Sequence, residues 1–233
     1  MIFIPLILAH LLGDFILQPI SWVADKEKKK SGSIYLYIHV VLHTLLAFIL
    51  LADLDLWWIA LTIGLTHYLI DLAKLQFQNA KTKRVWFFID QVAHVGIISA
   101  LTLFYFPYFT WYDLVHPQTL LLLTGLVFLT VPTSVIIKTV ISLWTPVTTD
   151  TRDLQTGSLV NAGKYIGILE RLLVFTFILV DHWEGVGFMI AAKSVFRFSD
   201  LAEAKQRKLT EYVLIGTLLS FGIAVLTGIA VKY

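Results

Sequence analysis

Four apolar segments within the first hundred residues each carry two metal-binding side chains spaced four residues apart. The pairs are His10 and Asp14, His39 and His43, His67 and Asp71, and Asp90 and His94. A spacing of four places both members of a pair on one face of a helix, one turn apart. Such groups are unfavourable inside an apolar helix unless they pair with one another or with an ion. We therefore expect the four pairs to converge on one buried polar centre.

The composition is that of a membrane protein. Of the 233 residues, 58% are hydrophobic and only 15% are charged, whereas a soluble domain has about 25% charged residues. The mean hydropathy is +0.79. Nothing in the charge pattern indicates nucleic-acid binding. The chain has no cysteine, which excludes disulfides and thiolate metal ligands.

Eight apolar stretches approach the length of about 20 residues that a transmembrane helix needs. They lie at 2–20, 34–52, 56–73, 85–106, 119–143, 164–181, 184–198 and 210–231. The seventh is short and carries Lys193 and Arg197, so a re-entrant segment is the alternative for it. We predict an all-α fold, a polytopic transmembrane bundle of about eight helices in a single domain over 1–233. The His/Asp half would be 1–106 and the supporting half 107–233.

Lysine and arginine are concentrated in alternate loops between these stretches. The basic loops are 21–33, 74–84, 144–163 and 199–209. Positive residues mark the cytoplasmic side of a membrane, so both termini are predicted to lie outside. The lysines of loop 21–33 are interpreted as part of this topology signal. At 1.5 Å per residue, all four pairs lie about 3 to 15 Å from the cytoplasmic ends of their helices.

Histidine and aspartate together suit a divalent transition metal, for which zinc is the first choice and iron or manganese are alternatives. Eight candidate ligands exceed one tetrahedral shell. They fit either two ions, or one ion with outer carboxylates that orient the histidine rings. A single pair of this kind is usually a structural hydrogen bond or part of an ion path. Four pairs at one depth favour a shared metal centre.

Other polar residues are candidates for catalysis or substrate binding. Gln18 and Gln91 lie beside the pairs and would bind substrate or hydrogen-bond to the ligands. Glu170 and Lys193 have opposite charges at matching predicted depths. They would form a structural ion pair or contact an anionic substrate, and both alternatives stay open. Three further basic residues are predicted to bind substrate: Lys164, Arg171 and Arg197.

Three parts of the chain carry a resemblance to a known family. The first is His10-Leu-Leu-Gly-Asp14-Phe-Ile-Leu-Gln18 together with the pairs that follow it, including Asp90-Gln91-x-x-His94. The others are the stretches 163–171 and 187–198. Together they resemble a bacterial membrane family known only as domain of unknown function 3307. The resemblance implies a multi-pass protein of the bacterial inner (plasma) membrane and brings no activity with it.

Three classes of function fit these observations. The first is a membrane-embedded metal-dependent hydrolase that acts from the cytoplasmic leaflet on a lipid or other amphiphile, with a phosphoester as one candidate bond. The second is an ion- or proton-coupled transporter with a buried His/Asp centre. The third is an iron-dependent lipid oxidoreductase, although the chain lacks the His-x-x-His-His boxes of membrane desaturases. The predicted partners are the bilayer and an amphiphilic small molecule.

Overall fold

The computed structural model describes residues 2–105, 118–142, 144, 157–198 and 207–233. All regular secondary structure in these ranges is helical, which confirms the predicted all-α helix bundle. The helices are α1 Phe3–Leu11, α2 Ile20–Lys29, α3 Ile34–Leu51, α4 Trp57–Phe77, α5 Lys83–Tyr105, α6 Gln118–Leu129, α7 Val131–Ile141, α8 Gly157–Leu179, α9 Trp183–Phe198 and α10 Arg207–Lys232. A π-helical turn, Leu12–Ile16, continues α1.

Several of these helices could span a membrane. Within the described residues, four are long and apolar enough: α3, α4 with its preceding turn, α5 and α10. The number rises to six if each of two bent helix pairs counts as one span. The pairs are α1 with α2, bent by 84°, and α6 with α7, bent by 41°. Helix α9 has only 16 residues. The number of eight spans and their orientation stay predictions.

The chain divides into two compact units, residues 1–124 and 125–233. In the first unit, α1, α3, α4 and α5 form a bundle in which α1 packs on α3 and α5, and α4 packs on the same two helices. Its apolar core lies at one end and includes Leu6, Ala9, Ala47, Ile59, Ile63 and Ile98. The polar pairs lie on the same helices toward the other end. Large apolar side chains cover the outer faces, for example Leu61, Leu65 and Leu69 on α4.

In the second unit, α8 packs against α7, α9 and α10, and α10 also packs on α7. The core side chains come mainly from α8 and α10, since a helix that presents apolar residues three and four apart buries one continuous stripe. They include Val174, Phe175, Ile178, Phe221 and Ala224.

The first predicted span, 2–20, is shorter in the structure than in the prediction. The helix ends at Ile16, and α2 begins at Ile20 in a new direction. Pro19 explains the break, because the residue before a proline disfavours the helical conformation. As a result, most of the predicted basic loop 21–33 is helical.

Three further differences from the prediction concern a helix break and two helix boundaries. The span 119–143 is divided at Thr130, because Pro132 lacks an N–H group and its ring clashes with the carbonyl four residues earlier. Helix α8 begins at Gly157, inside the predicted loop 144–163, and α4 continues to Phe77. Hydropathy marks the part of a helix that lies in lipid, and polar turns at helix ends fall outside that part.

Candidate metal centre

The first unit brings the four predicted pairs together at one end of its bundle. The His67 ring centroid lies 3.7 Å from that of His43 and 4.1 Å from that of His94. His39 is 4.9 Å from His67, and His10 stacks on His94 at 5.0 Å. All five rings are buried, with at most 4% of any residue exposed. The imidazoles therefore form one contiguous group.

Asp14 faces four of these imidazoles. Its Oδ1 atom lies 3.0 Å from Nε2 of His43 and 3.2 Å from Nε2 of His39. The same oxygen is 3.5 Å from Nε2 of His67, and Oδ2 is 3.8 Å from Nε2 of His10. Ring nitrogens from three helices are thus directed at a single carboxylate. Imidazole nitrogen and carboxylate oxygen are ligands that zinc binds readily in proteins.

The Nε2 atom of His39 has more polar neighbours than it can satisfy. It lies 3.0 Å from the amide nitrogen of Gln18, 3.0 Å from Nε2 of His67 and 3.2 Å from Oδ1 of Asp14. A neutral ring nitrogen carries either one proton or one lone pair. The Gln18 amide nitrogen can only donate, so Nε2 of His39 is its acceptor, and the same lone pair faces Oδ1 of Asp14, which is also an acceptor. Two acceptors this close favour a cation beside them.

His94 supplies an independent sign of a ligand. Its Nδ1 atom is 2.8 Å from the backbone carbonyl of Asp90. Only a protonated nitrogen can donate to that oxygen, so Nε2 of the neutral ring carries a lone pair. Among the described residues Nε2 has no hydrogen-bond partner, although it is fully buried. A histidine whose other nitrogen is fixed by a carbonyl is the usual geometry of a metal ligand.

Three overlapping groups of these side chains could hold a metal ion, because each offers ligand atoms that lie within 4.8 Å of one another. The groups are His10, Asp14, His43 and His67; His39, His67 and Asp71; and Asp14, Asp90 and His94. Every one of the eight predicted ligands belongs to at least one group. The donor set contains nitrogen and oxygen without sulfur, which suits zinc, iron or manganese.

Gln18 and Gln91 both contact the centre. The Gln91 side chain connects three members: its Oε1 is 3.2 Å from Nε2 of His10, and its Nε2 donates to Oδ2 of Asp14 and to Oδ2 of Asp90, each at 3.1 Å. Gln18 contacts His39, as described above. Both amides thus orient the candidate ligands.

Two lysines enter the centre that the sequence interpretation left outside it. Lys26 is buried and donates to Oδ2 of Asp71 at 2.7 Å. Lys74 donates to Oδ2 of Asp90 at 2.9 Å. Lys74 has a sequence signal, since it follows His67 by seven residues and so lies on the same helical face. Lys26 has none, because it belongs to a basic run that is typical of a cytoplasmic loop.

Gly13 makes room for the centre within the π-helical turn. The Leu17 N–H donates to the Leu12 carbonyl five residues earlier, at 2.8 Å. A π-helical turn of this kind is rare and is frequent at functional sites. A Cβ atom at Gly13 would lie 2.3 Å from Nε2 of His43. Only glycine therefore allows the His43 imidazole to approach this helix.

A polar cavity of about 50 Å³ adjoins the cluster. Its walls include Asp14, His39 and Asp71 together with Lys26 and Lys74. A single water needs roughly 10–15 Å³ of such volume. The cavity can therefore hold water next to candidate metal ligands and two ammonium groups.

The remaining predicted site residues belong to the second unit. Glu170 and Lys193 form the predicted ion pair, and the Lys193 ammonium lies 5.6 Å from the centroid of the Phe221 ring. Lys164 is exposed on α8. Arg197 lies in α9, and its side chain is outside the described part of the chain.

Arg171 is buried, and four of the five N–H donors of its guanidinium contact neutral acceptors. It donates to the carbonyl oxygens of Leu129 at 2.7 Å and Thr130 at 3.0 Å. It also donates to the hydroxyls of Ser134 at 2.6 Å and Ser220 at 3.2 Å. Both carbonyls lie at the break between α6 and α7, and the Thr130 carbonyl also accepts from the N–H and the hydroxyl of Ser134. These contacts favour a structural role for Arg171, and its role in binding substrate stays a prediction.

Comparison with known proteins bears mainly on the first unit. A family profile described as "Protein of unknown function (DUF3307)" matches residues 2–123. The matched segment contains all four pairs, Lys26, Lys74 and the cavity. Neither the curated proteins nor the solved structures include a significant match to the chain.

Proposed function

The chain belongs to this DUF3307 family, and we propose that its first unit binds a divalent transition metal and hydrolyses a lipid or other amphiphile from the cytoplasmic leaflet. The observation that carries the proposal is that five imidazoles and three carboxylates form three overlapping ligand groups in one cluster, beside a polar cavity. Zinc is the first candidate for the ion.

The unsatisfied ring nitrogens support a metal at this place. The crowded Nε2 of His39 and the unpartnered Nε2 of His94 are hard to explain in a purely hydrogen-bonded cluster. A buried nitrogen without a partner costs about 1–3 kcal/mol. A bound cation would remove that cost, because it accepts several lone pairs at once.

The cavity supports hydrolysis more than storage of an ion. A divalent ion with an open coordination position supplies an activated water at neutral pH. The chain would contribute the space for that water, bounded by Asp14, His39 and Asp71. Gln18 would hold the His39 ring in place. These features match the requirements of a hydrolytic site.

The two lysines support an anionic substrate group. Lys26 and Lys74 each donate one described hydrogen bond to a carboxylate and line the cavity. An ammonium group has three donors, so each lysine has further donors for a substrate oxygen. A phosphoester is the substrate class that this arrangement suits, since lysine is a common phosphate-binding residue.

Transport is the second candidate, and the ion pairs between helices favour it. Lys26 on α2 pairs with Asp71 on α4, and Lys74 on α4 pairs with Asp90 on α5. Charged pairs of this kind inside membrane helices often mark ion or proton paths. The small cavity also fits an ion or water more easily than a lipid headgroup.

The test is a metal assay combined with an activity assay on the full chain, purified in detergent without chelators. We expect bound zinc, iron or manganese, and release of phosphate or headgroup from a panel of phospholipids and soluble phosphoesters. Chelation should abolish the release, and adding the metal back should restore it. His67→Ala should lose metal and activity. The exposed His182→Ala is the matched control and should keep both.

Each other outcome rejects part of the proposal. Purified protein without a transition metal contradicts the metal centre. Bound metal with no hydrolysis, together with ion flux in reconstituted vesicles, contradicts the hydrolase and favours transport. Bound iron with an oxygen-sensitive absorption spectrum and lipid-tail oxidation favours the oxidoreductase alternative.

A further inference from the structure

The three carboxylates of the metal centre have different neighbours. Asp71 is paired with the Lys26 ammonium and Asp90 with the Lys74 ammonium. The Lys26–Asp71 pair is buried on both sides, with side-chain exposures of 6% and 8%. The Asp90 carboxylate is 1% exposed and the Lys74 side chain 26%. Two of the three carboxylates therefore already have a cation at hydrogen-bond distance.

Asp14 is faced by imidazoles and by the Gln91 amide instead. Its two oxygens lie within 4 Å of ring nitrogens of His10, His39, His43 and His67. A neutral imidazole can donate one hydrogen bond, but it carries no charge to neutralise a carboxylate. Asp14 and Asp90 both belong to the ligand group that contains the unpartnered nitrogen of His94, and Oδ1 of Asp90 also has no partner among the described residues. Asp90 nevertheless has the Lys74 ammonium at its other oxygen, whereas no described ion pair joins Asp14 to a lysine or arginine. The demand for positive charge is therefore greatest at Asp14.

The charges of the cluster limit how many ions it can take. Three carboxylates and two ammonium groups leave one net negative charge when the imidazoles are neutral. One divalent ion changes the net charge to one positive, and a second would change it to three positive. Unbalanced charge is strongly unfavourable in a buried site. A second ion would also have to approach carboxylates that each hold an ammonium group within 3 Å.

We propose that the centre takes one divalent ion, at Asp14, and that Lys26 and Lys74 take the place of a second cation at Asp71 and Asp90. This inference rests on the proposed metal centre. It assigns Asp14 as a ligand and the other two carboxylates as positioning residues. Each would hold a lysine and stand beside a histidine ligand without binding the ion itself.

Removing each ion pair as a unit tests this assignment. Lys26→Met/Asp71→Asn and Lys74→Met/Asp90→Asn each remove one positive and one negative charge, and so leave the net charge of the cluster unchanged. Asp14→Asn removes the carboxylate assigned to the ion. Lys29→Met, which alters an exposed ion pair with Asp25, is the control. The readouts are ions per chain by elemental analysis and zinc affinity by calorimetry in detergent.

We expect one ion per chain in the unmodified protein. Both paired variants should keep one ion with less than about 100-fold loss of affinity, the usual limit for an orienting group, whereas Asp14→Asn should lose more than about 100-fold because a ligand is removed. The control should match the unmodified protein. A paired variant that is folded but loses more than 100-fold overturns the assignment of its carboxylate.

The unmodified protein decides the question even if a variant fails to fold. Two ions per chain overturn the inference and leave the proposed metal-dependent function standing. No bound ion overturns the proposed metal centre itself. One ion per chain supports both.

Discussion

The two units of the chain differ in the hydrogen-bond partners that surround their buried charged groups. In the second unit, the Arg171 guanidinium is surrounded by four neutral oxygens, two of them carbonyls at a helix break. In the first unit, charged and neutral polar groups crowd together, and Nε2 of His94 and Oδ1 of Asp90 have no hydrogen-bond partner among the described residues. Both arrangements are buried. Among the described residues, only the first unit leaves buried side-chain polar atoms without a hydrogen-bond partner.

This difference separates a structural polar group from a binding site. Four of the five N–H donors of Arg171 already have acceptors, so a ligand that used them would have to displace existing bonds. The first unit has surplus lone pairs that one cation would satisfy. Variants in the two units should therefore give separable effects, on stability in the second unit and on metal binding in the first.

The largest effect is expected from Gly13→Ala. The added methyl group would lie 2.3 Å from Nε2 and 2.5 Å from Cε1 of His43. That ring is packed against His67, so it cannot move without disturbing the cluster. We expect metal affinity to fall more than about 100-fold, as for loss of a ligand. Elemental analysis of the purified variant measures this.

Gly96→Ala on α5 is the matched control, because a Cβ atom there has no described neighbour within 4 Å. It should retain metal and gain slightly in stability, since alanine favours a helix by about 1 kcal/mol over glycine. Equal metal content in both alanine variants would contradict the close approach of His43 to α1.

Arg171→Met should lower the free energy of unfolding by about 2–4 kcal/mol. The change removes the described donor of the Leu129 carbonyl and of the Ser220 hydroxyl, whereas the Thr130 carbonyl keeps the Ser134 N–H and hydroxyl. Each buried group left without a partner costs about 1–3 kcal/mol, in part offset by relaxation. Metal content should stay unchanged. Denaturant unfolding in detergent, followed by tryptophan fluorescence, gives the stability. Unchanged stability together with lost activity would instead support the predicted substrate-binding role of Arg171.

Gln18→Ala should separate metal binding from turnover. The amide contacts the His39 ring, so its loss should leave the ion bound and reduce activity 10–100-fold, the usual effect of removing an orienting partner. Gln76→Ala on the exposed side of α4 is the control and should have full activity. Loss of metal in Gln18→Ala would make the amide part of the binding site itself.

The smallest effect is expected at the ion pair between Glu170 and Lys193. Both side chains are partly exposed, at 17% and 26%, so Glu170→Gln should cost about 1 kcal/mol rather than the 3–5 kcal/mol of a fully buried pair. Adding Lys193→Met should recover part of that loss. Stable single variants that lack activity would show that the pair contacts substrate.

The arrangement of the candidate site could be predicted from the sequence because helix geometry determines it. Residues four apart share a face, and apolar segments separated by short loops pack as antiparallel neighbours. These rules place the members of each pair side by side, and the cost of unpaired polar groups in apolar helices favours rotations that turn His10, His43, His67 and their partners toward one another. The helix break at Pro132 could also have been predicted, since proline interrupts a helix.

Other features depend on packing that a sequence pattern does not report. Lys26 reaches Asp71 because α2 turns sharply after Pro19, and no periodicity in the sequence indicates that direction. The start of α8 at Gly157 was missed because hydropathy follows the lipid-facing segment and not the whole helix. The partners of Arg171 depend on which carbonyls the break at Thr130 exposes.

The most direct test of the metal centre is a crystal structure of the full chain with diffraction data collected at the absorption edge of the bound metal. We predict one anomalous peak at the buried cluster, about 2.0–2.2 Å from an oxygen of Asp14 and from at least two histidine ring nitrogens. A cluster without an anomalous peak in protein purified without chelators, or a peak bound elsewhere on the chain, would contradict the account.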